Sequence, residues 1–173
     1  LRVSVVGLGT WQFGTEAWGF GADFTEEDAR GVLEKALELG INHIDTAEVY
    51  GKGKSEEIIG EVLADRRDEA VITTKVSGAY LRYRDVKRAA ERILRRLRIK
   101  YIDLYLVHRP NYYIPLRETT RALEDLVEEG KVRYVRVSNF PVCMMEGARS
   151  YLNRTDLVAN RVRYNSSRGR SRP

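Results

Sequence analysis

Four polar residues that can move a proton follow apolar segments of this chain. Asp45 and Tyr50 lie in IDTAEVYG, Lys75 lies in VITTKV, and His108 lies in DLYLVHRP. A lysine ammonium close to a tyrosine lowers the pKa of the phenol from about 10 toward a range useful for a proton donor. A carboxylate could hold that lysine, and an imidazole could donate to a substrate oxygen. The pattern therefore indicates acid catalysis with Tyr50 as the donor.

Each of these residues, taken alone, also has a structural explanation. Asp45 and Lys75 could form a buried salt bridge, Tyr50 could be a loop aromatic, and His108 could be a hydrogen-bonded core histidine. Their common position is what favours chemistry, because all four lie at or just past the carboxyl end of a predicted strand. Parallel α/β barrels gather catalytic groups at that edge.

The elements that must position these residues alternate between β-rich segments and helical periods, which predicts βαβ units on a parallel sheet. Predicted strands are Ser4–Gly7, Asn42–Asp45, Ala70–Thr74, Ile102–Val107, Val132–Ser138 and Leu157–Val162. Predicted helices are Glu26–Leu39, Glu56–Ala64, Arg84–Leu97, Leu116–Glu128 and Val142–Leu152. Thr25 and Ser55 are predicted helix N-caps, and Gly40 and Gly130 are predicted stops.

This alternation favours an α/β fold of the parallel (β/α)8 TIM barrel family, here a truncated barrel of about six strands. We expect the barrel to occupy residues 1–165 and a basic, disordered tail to occupy residues 166–173. A doubly wound Rossmann sheet is the alternative. Its G-x-G-x-x-G fingerprint is incomplete here, because Gly7 and Gly9 are followed by Gln12 in the third glycine position.

Charge and composition narrow the function classes. The net charge is +5 over 173 residues, but residues 161–173 hold five arginines and no acid, so residues 1–160 are balanced. That distribution argues against a nucleic-acid partner. A single cysteine, Cys143, and two histidines far apart in the chain argue against a metal site. No apolar segment is long enough to span a membrane, so we expect no membrane partner and a cytoplasmic location.

Six segments of the chain resemble the aldo-keto reductase family, in the same order and spacing. They are GLGTWQFG (7–14), GINHIDTAEVYGKGKSEEIIGEVL (40–63), ITTKV (72–76), IDLYLVHRP (102–110), VSNF (137–140) and VANRVRYN (158–165). The resemblance implies a parallel barrel that reduces small-molecule aldehydes or ketones to alcohols with NADPH as the cofactor.

The resemblance also implies a role for individual residues. Tyr50 would be the general acid, Lys75 would lower its pKa, Asp45 would hold Lys75, and His108 would orient the carbonyl. Ser138 and Asn139 match residues that hold the nicotinamide carboxamide, and Thr10 and Trp11 match the rim of the cofactor and substrate pocket.

The chain departs from the family pattern in two respects. Arg161 and Arg163 stand where relatives usually carry Gln and Glu, and Arg136 stands where a glycine is usual. The seventh and eighth strands of the family are not matched, which leaves two sheet edges that could pair with a second copy of the chain. The alternative hypothesis is therefore a catalytically inactive partial barrel that acts as a binding or assembly module.

Overall fold

The computed structural model of the protein describes residues 1–162, so the predicted tail at 166–173 and Arg163 lie outside the described residues. The strands are β1 (Gly7–Gly9), β2 (His43–Asp45), β3 (Val71–Val76), β4 (Ile102–Val107), β5 (Val132–Ser138) and β6 (Leu157–Arg161). The helices are α1 (Glu26–Glu38), α2 (Lys54–Val62), α3 (Tyr83–Leu97), α4 (Leu116–Glu128) and α5 (Val142–Ser150), and short 3-10 helices cover Glu16–Trp18, Tyr50–Gly53 and Arg67–Glu69.

The six strands form one sheet in which every strand pairs in parallel with its neighbour along the chain, in the order β1 to β6. A helix lies between each pair of strands from α1 onward. This arrangement is a half-barrel and confirms the predicted TIM-barrel fold class. Within the described residues, β1 and β6 are the two end strands.

Side chains alternate between the two faces of the sheet, because successive residues of a strand point in opposite directions. Ile44, Ile72 and Tyr105 belong to the main core beneath the helices. A smaller cluster of Val71, Leu104 and Leu106 lies apart from that core. In β3, Lys75 has the same parity as Val71, and Asp45 pairs in register with Thr73. The face of the sheet opposite the main core therefore carries Asp45 and Lys75.

The helix ends are set by local side-chain chemistry. Thr25 caps α1 as predicted, since its hydroxyl accepts from the Asp28 N–H while the Asp28 carboxylate accepts from the Thr25 N–H. Gly40 and Gly130 follow α1 and α4 with left-handed φ angles of 76° and 68°. No helix in residues 1–162 is long and apolar enough to cross a membrane.

Two predictions of local structure were wrong. The first strand begins at Gly7 instead of Ser4. The Ser4 N–H and hydroxyl bond to Asn42, and residues 4–6 are consequently not part of the strand ladder. Val5 and Val6 are consequently exposed. Ser55 is not an N-cap: α2 begins at Lys54, and the Ser55 hydroxyl is fully buried.

Candidate active site

Asp45, Tyr50, Lys75 and His108 meet at the carboxyl edge of the sheet. Asp45 ends β2, Lys75 is the last residue but one of β3, His108 follows β4, and Tyr50 begins the 3-10 helix that follows β2. A pocket of about 1000 Å³ opens there, and its walls include Tyr50, Lys75 and His108. The position predicted for these four residues is confirmed by this geometry.

Lys75 is the centre of the arrangement. Its side chain is 1% exposed, and Nζ donates to Asp45 Oδ1 at 2.7 Å, to the Thr46 carbonyl at 2.6 Å and to Tyr50 Oη at 3.3 Å. An ammonium has three hydrogens, so these contacts use all of them. Tyr50 Oη accepts from Lys75, which leaves the phenolic hydrogen available to a group in the pocket.

The pKa of Tyr50 is raised, whereas the sequence predicted that it would be lowered. Burial raises the pKa of this phenol above its ordinary value of 10, and the nearby Asp45 carboxylate raises it further, while Arg161 lowers it. Burial also lowers the pKa of Lys75, and Asp45 opposes that change. Burial is therefore the largest cause of the change at Tyr50, and this phenol keeps its proton at neutral pH.

His108 lies beside Tyr50, with ring centroids 5.9 Å apart and the rings nearly perpendicular. Burial lowers the pKa of His108 to about 4, and the positive charges of Lys75 and Arg109 contribute. The imidazole is therefore neutral at neutral pH and carries one N–H. A neutral imidazole can donate a hydrogen bond to a substrate oxygen without adding charge to the pocket.

Arg161 is a contact that sequence reasoning did not assign. The structure places this side chain toward the site, with Nη1 3.0 and 2.9 Å from the two carboxylate oxygens of Asp45. Asp45 is thus shared between Arg161 and Lys75. Arg136 is half-buried, and the proximity of Arg161 lowers its pKa in addition to burial. The departure from the family residue at position 161 was the available signal.

The four residues predicted to hold a cofactor differ in position. Ser138, Asn139 and Trp11 line the pocket, and Trp11 packs against Trp18 with centroids 4.7 Å apart and the rings tilted by 56°. Asn139 has a left-handed φ of 57° and donates to the Ser138 hydroxyl at 3.1 Å. Thr10 is fully buried instead of lying at the rim, because its hydroxyl bonds to Ser55 and to the Asp45 carbonyl.

The pocket suits an organic ligand with polar groups. The Asn139 amide both donates and accepts, so it can pair with another amide, and Arg161 supplies further donors. Within residues 1–162 no group of three or more His, Cys, Asp or Glu side chains is placed to hold a metal ion.

Comparison with known proteins gives consistent matches. The model of the aldo/keto reductase family matches residues 5–172. The aldo-keto reductase YhdN of Bacillus subtilis is 37% identical over 160 residues, covering 87% of this chain and 47% of that protein. The thermostable aldo-keto reductase Tm1743, crystallised with the inhibitor epalrestat, matches with a TM-score of 0.85 and 41% identity, over 94% of this chain and 59% of that one.

An aldo-keto reductase from Klebsiella pneumoniae, crystallised with NADPH, matches with a TM-score of 0.76 and 36% identity, over 87% of this chain and 50% of that one. The chain spans about half the length of the curated relatives it matches. All four polar residues of the site lie within the matched residues.

Proposed function

Because this chain belongs to the aldo/keto reductase family, we propose that its site serves the reduction of small aldehydes or ketones to alcohols with NADPH. One observation carries the proposal: Lys75 donates to the phenolic oxygen of Tyr50 at the mouth of a pocket. That contact leaves the Tyr50 hydroxyl hydrogen free to bond to a molecule in the pocket. The resemblance of the site residues to the family motifs supports the same reaction.

Four residues would share the work on the carbonyl group. Tyr50 would donate its proton to the carbonyl oxygen as that oxygen gains negative charge, and Lys75 would stabilise the phenolate that remains. Asp45 would keep Lys75 charged and in place. His108 would donate a hydrogen bond that orients the carbonyl, since its imidazole is neutral at the relevant pH.

The residues of the pocket fit a nicotinamide cofactor. The amide of Asn139 and the hydroxyl of Ser138 would hold the carboxamide group, and Trp11 would cover the adjoining surface. NADPH supplies a hydride to carbonyl compounds when it is bound. Arg161 stands where a glutamine would pair with both ends of a carboxamide, and an arginine can only donate.

The finer predictions about partners and location are also proposals. We propose a carbonyl substrate with an apolar part, because Trp11 lines the pocket and Trp18 packs against it. We also propose pairing of the sheet edges between two copies and a cytoplasmic location. No described feature favours a nucleic-acid partner over these.

A substitution of the acid tests the proposed function. Tyr50→Phe removes the proton donor and should lower kcat by about 100-fold or more, as general acid catalysis contributes at least that factor. NADPH affinity should stay within about threefold of wild type, because the hydroxyl acts on the transition state. The measurement is NADPH oxidation with a panel of aldehydes and ketones, together with a fluorescence titration of NADPH.

Tyr112→Phe is the matched control, since Tyr112 is exposed and does not line the pocket. Equal turnover by wild type and Tyr50→Phe would show that another group is the acid. NADPH binding without turnover of any carbonyl would instead favour the binding module.

A further inference from the structure

The turn that follows Tyr50 has an unusual backbone. Gly51, Lys52 and Gly53 have left-handed φ angles of 54°, 56° and 101° in succession. Glycine adopts this conformation readily, but a lysine does so at a cost. Such a conformation persists only where the surrounding structure imposes it. Some of the contacts around this turn should therefore stabilise its left-handed conformation.

Arg96 of α3 lies directly beneath the turn. Its guanidinium packs against Gly53 so closely that a Cβ at this glycine would overlap it. Arg96 Nη1 also lies 3.5 Å from the carbonyl oxygen of Glu48 and 3.3 Å from Glu56 Oε2. Arg96 therefore contacts the chain before the turn, within it and after it.

Glu56 fixes the position of the Arg96 guanidinium. This carboxylate is fully buried in α2, and its other oxygen accepts from the Thr74 hydroxyl at 2.7 Å. Thr74 precedes Lys75 in β3. Glu56 thus connects the arginine beneath the turn to the strand that carries the proposed partner of Tyr50.

A second ion pair joins α3 to the segment before the same turn. Arg92, one helical turn before Arg96 in α3, lies 3.1 Å from Glu48 Oε2. The other carboxylate oxygen of Glu48 accepts from the Ser77 N–H at 2.7 Å. Both glutamates flank Tyr50 in sequence, so α3 holds the segment at two points.

We propose that Arg96, held by Glu56, is a positioning residue that imposes the left-handed turn and so fixes the Tyr50 hydroxyl against Lys75. The effect of Arg96 on turnover rests on the proposed function, whereas its effect on the turn does not. Loss of the Arg96 contacts should destabilise the turn mainly at Lys52, because Lys52 is the residue of the turn that has both a Cβ and a left-handed φ.

A double-mutant cycle between Arg96 and Lys52 tests the proposal. Arg96→Met should lower kcat by roughly tenfold or more, because a displacement of about 1 Å can cost up to 100-fold. In the Lys52→Gly background the same substitution should cost about fivefold less, since glycine adopts the turn without support. Arg95→Met is the matched control, as Arg95 is the exposed neighbour on α3 and should leave kcat unchanged.

A spectroscopic readout separates the two proposals. In protein labelled with carbon-13 tyrosine, the Tyr50 resonance is assigned by its loss in Tyr50→Phe, and its pKa is followed by pH titration. Burial raises this pKa in the native turn, so Arg96→Met should move it down toward the ordinary value. If wild type reduces no carbonyl, the proposed function fails, while this titration still decides the role of Arg96.

Arg96→Lys serves if Arg96→Met does not fold, because a lysine leaves Glu56 with a charged partner but lacks the planar fork. It should reduce kcat by about threefold and shift the Tyr50 pKa in the same direction. An unchanged kcat and Tyr50 pKa in either folded variant would overturn the proposal, as would equal costs of Arg96→Met in both Lys52 backgrounds.

Discussion

Glu56 is an ionisable residue with no exposed surface. Its partners are the Thr74 hydroxyl and the Arg96 guanidinium, and its carboxyl also feels the charge of Glu48. Burial nevertheless raises its pKa from 4.5 to about 7, since these partners only partly replace water. Above neutral pH the folded protein therefore holds a carboxylate in its core.

This pKa predicts a pH dependence of stability. Between pH 4.5 and 7 the folded state binds a proton at Glu56 that the unfolded state has lost, so the free energy of unfolding falls as pH rises. The change is on the order of 3 kcal/mol. Glu56→Gln has no carboxyl at this position and should not show this fall. The free energy of unfolding of the variant, minus that of wild type, should therefore rise between pH 4.5 and 7 by up to about 3 kcal/mol. Urea unfolding at several pH values measures the difference.

Glu57→Gln is the control, because Glu57 is the exposed neighbour in the first turn of the same helix. Its stability should follow that of wild type at every pH. A difference between Glu56→Gln and wild type that does not change with pH would mean that the carboxyl titrates normally.

At the scale of elements, α2 and α3 are packed together through Gly60. A Cβ at this position would lie 2.5 Å from the Arg96 carbonyl oxygen and 2.7 Å from that of Leu97. Those atoms are backbone and cannot move aside cheaply. The glycine thus permits the close approach that brings Arg96 to the turn after Tyr50.

Gly60→Ala should destabilise the protein, although alanine is the better helix former. We expect a loss of about 1–3 kcal/mol from overpacking, measured by urea unfolding. Gly31→Ala in α1 has open space around the new methyl group and should gain up to about 1 kcal/mol. Comparable gains in both variants would show that the helices separate freely.

How well the sequence predicted an element depended on its length and pattern. β4, β5 and α4 were predicted with their observed bounds, because long apolar periods and flanking stops define them. β1 was displaced, since a three-residue strand has too few side chains to show a period. Parallel strands share an edge, and this made the position of Asp45, Lys75 and His108 predictable.

Other features of the site depend on contacts that no local pattern contains. Ser55 looked like a cap from its neighbours, yet its hydroxyl bonds to Thr10 and Thr46 in the interior. The pairing of Arg161 with Asp45 joins residues 116 positions apart. Sequence spacing predicts neither the partner of a buried polar group nor the direction in which the Tyr50 pKa shifts. Both depend on how completely the fold excludes water.

At the scale of the whole molecule, the main feature of residues 1–162 is an open sheet. β1 and β6 each pair on one side only within the described residues. Val5 and Val6 before β1 are exposed, and Val158 in β6 is 52% exposed. Unpaired strand edges with apolar side chains tend to pair with other chains.

We therefore expect the 173 residues, expressed by themselves, to self-associate at their edges. Val158→Lys should shift the population toward monomer, because a lysine on an edge strand opposes pairing. Val32→Lys is the control, since Val32 is similarly exposed but lies on α1. Light scattering gives the mass; a monomeric wild type, or equal effects of both lysines, would count against edge pairing.

The ion pair between Asp45 and Arg161 bears on how the chain acquires its structure during synthesis. Each strand pairs with its predecessor, so successive βα units can dock as they leave the ribosome. Lys75 emerges only 30 residues after Asp45 and can neutralise it early, whereas Arg161 emerges 116 residues after it. The nascent chain would thus pass through a state in which Asp45 pairs with Lys75 alone. Translation of β6 would then add Arg161 as the second cation at Asp45.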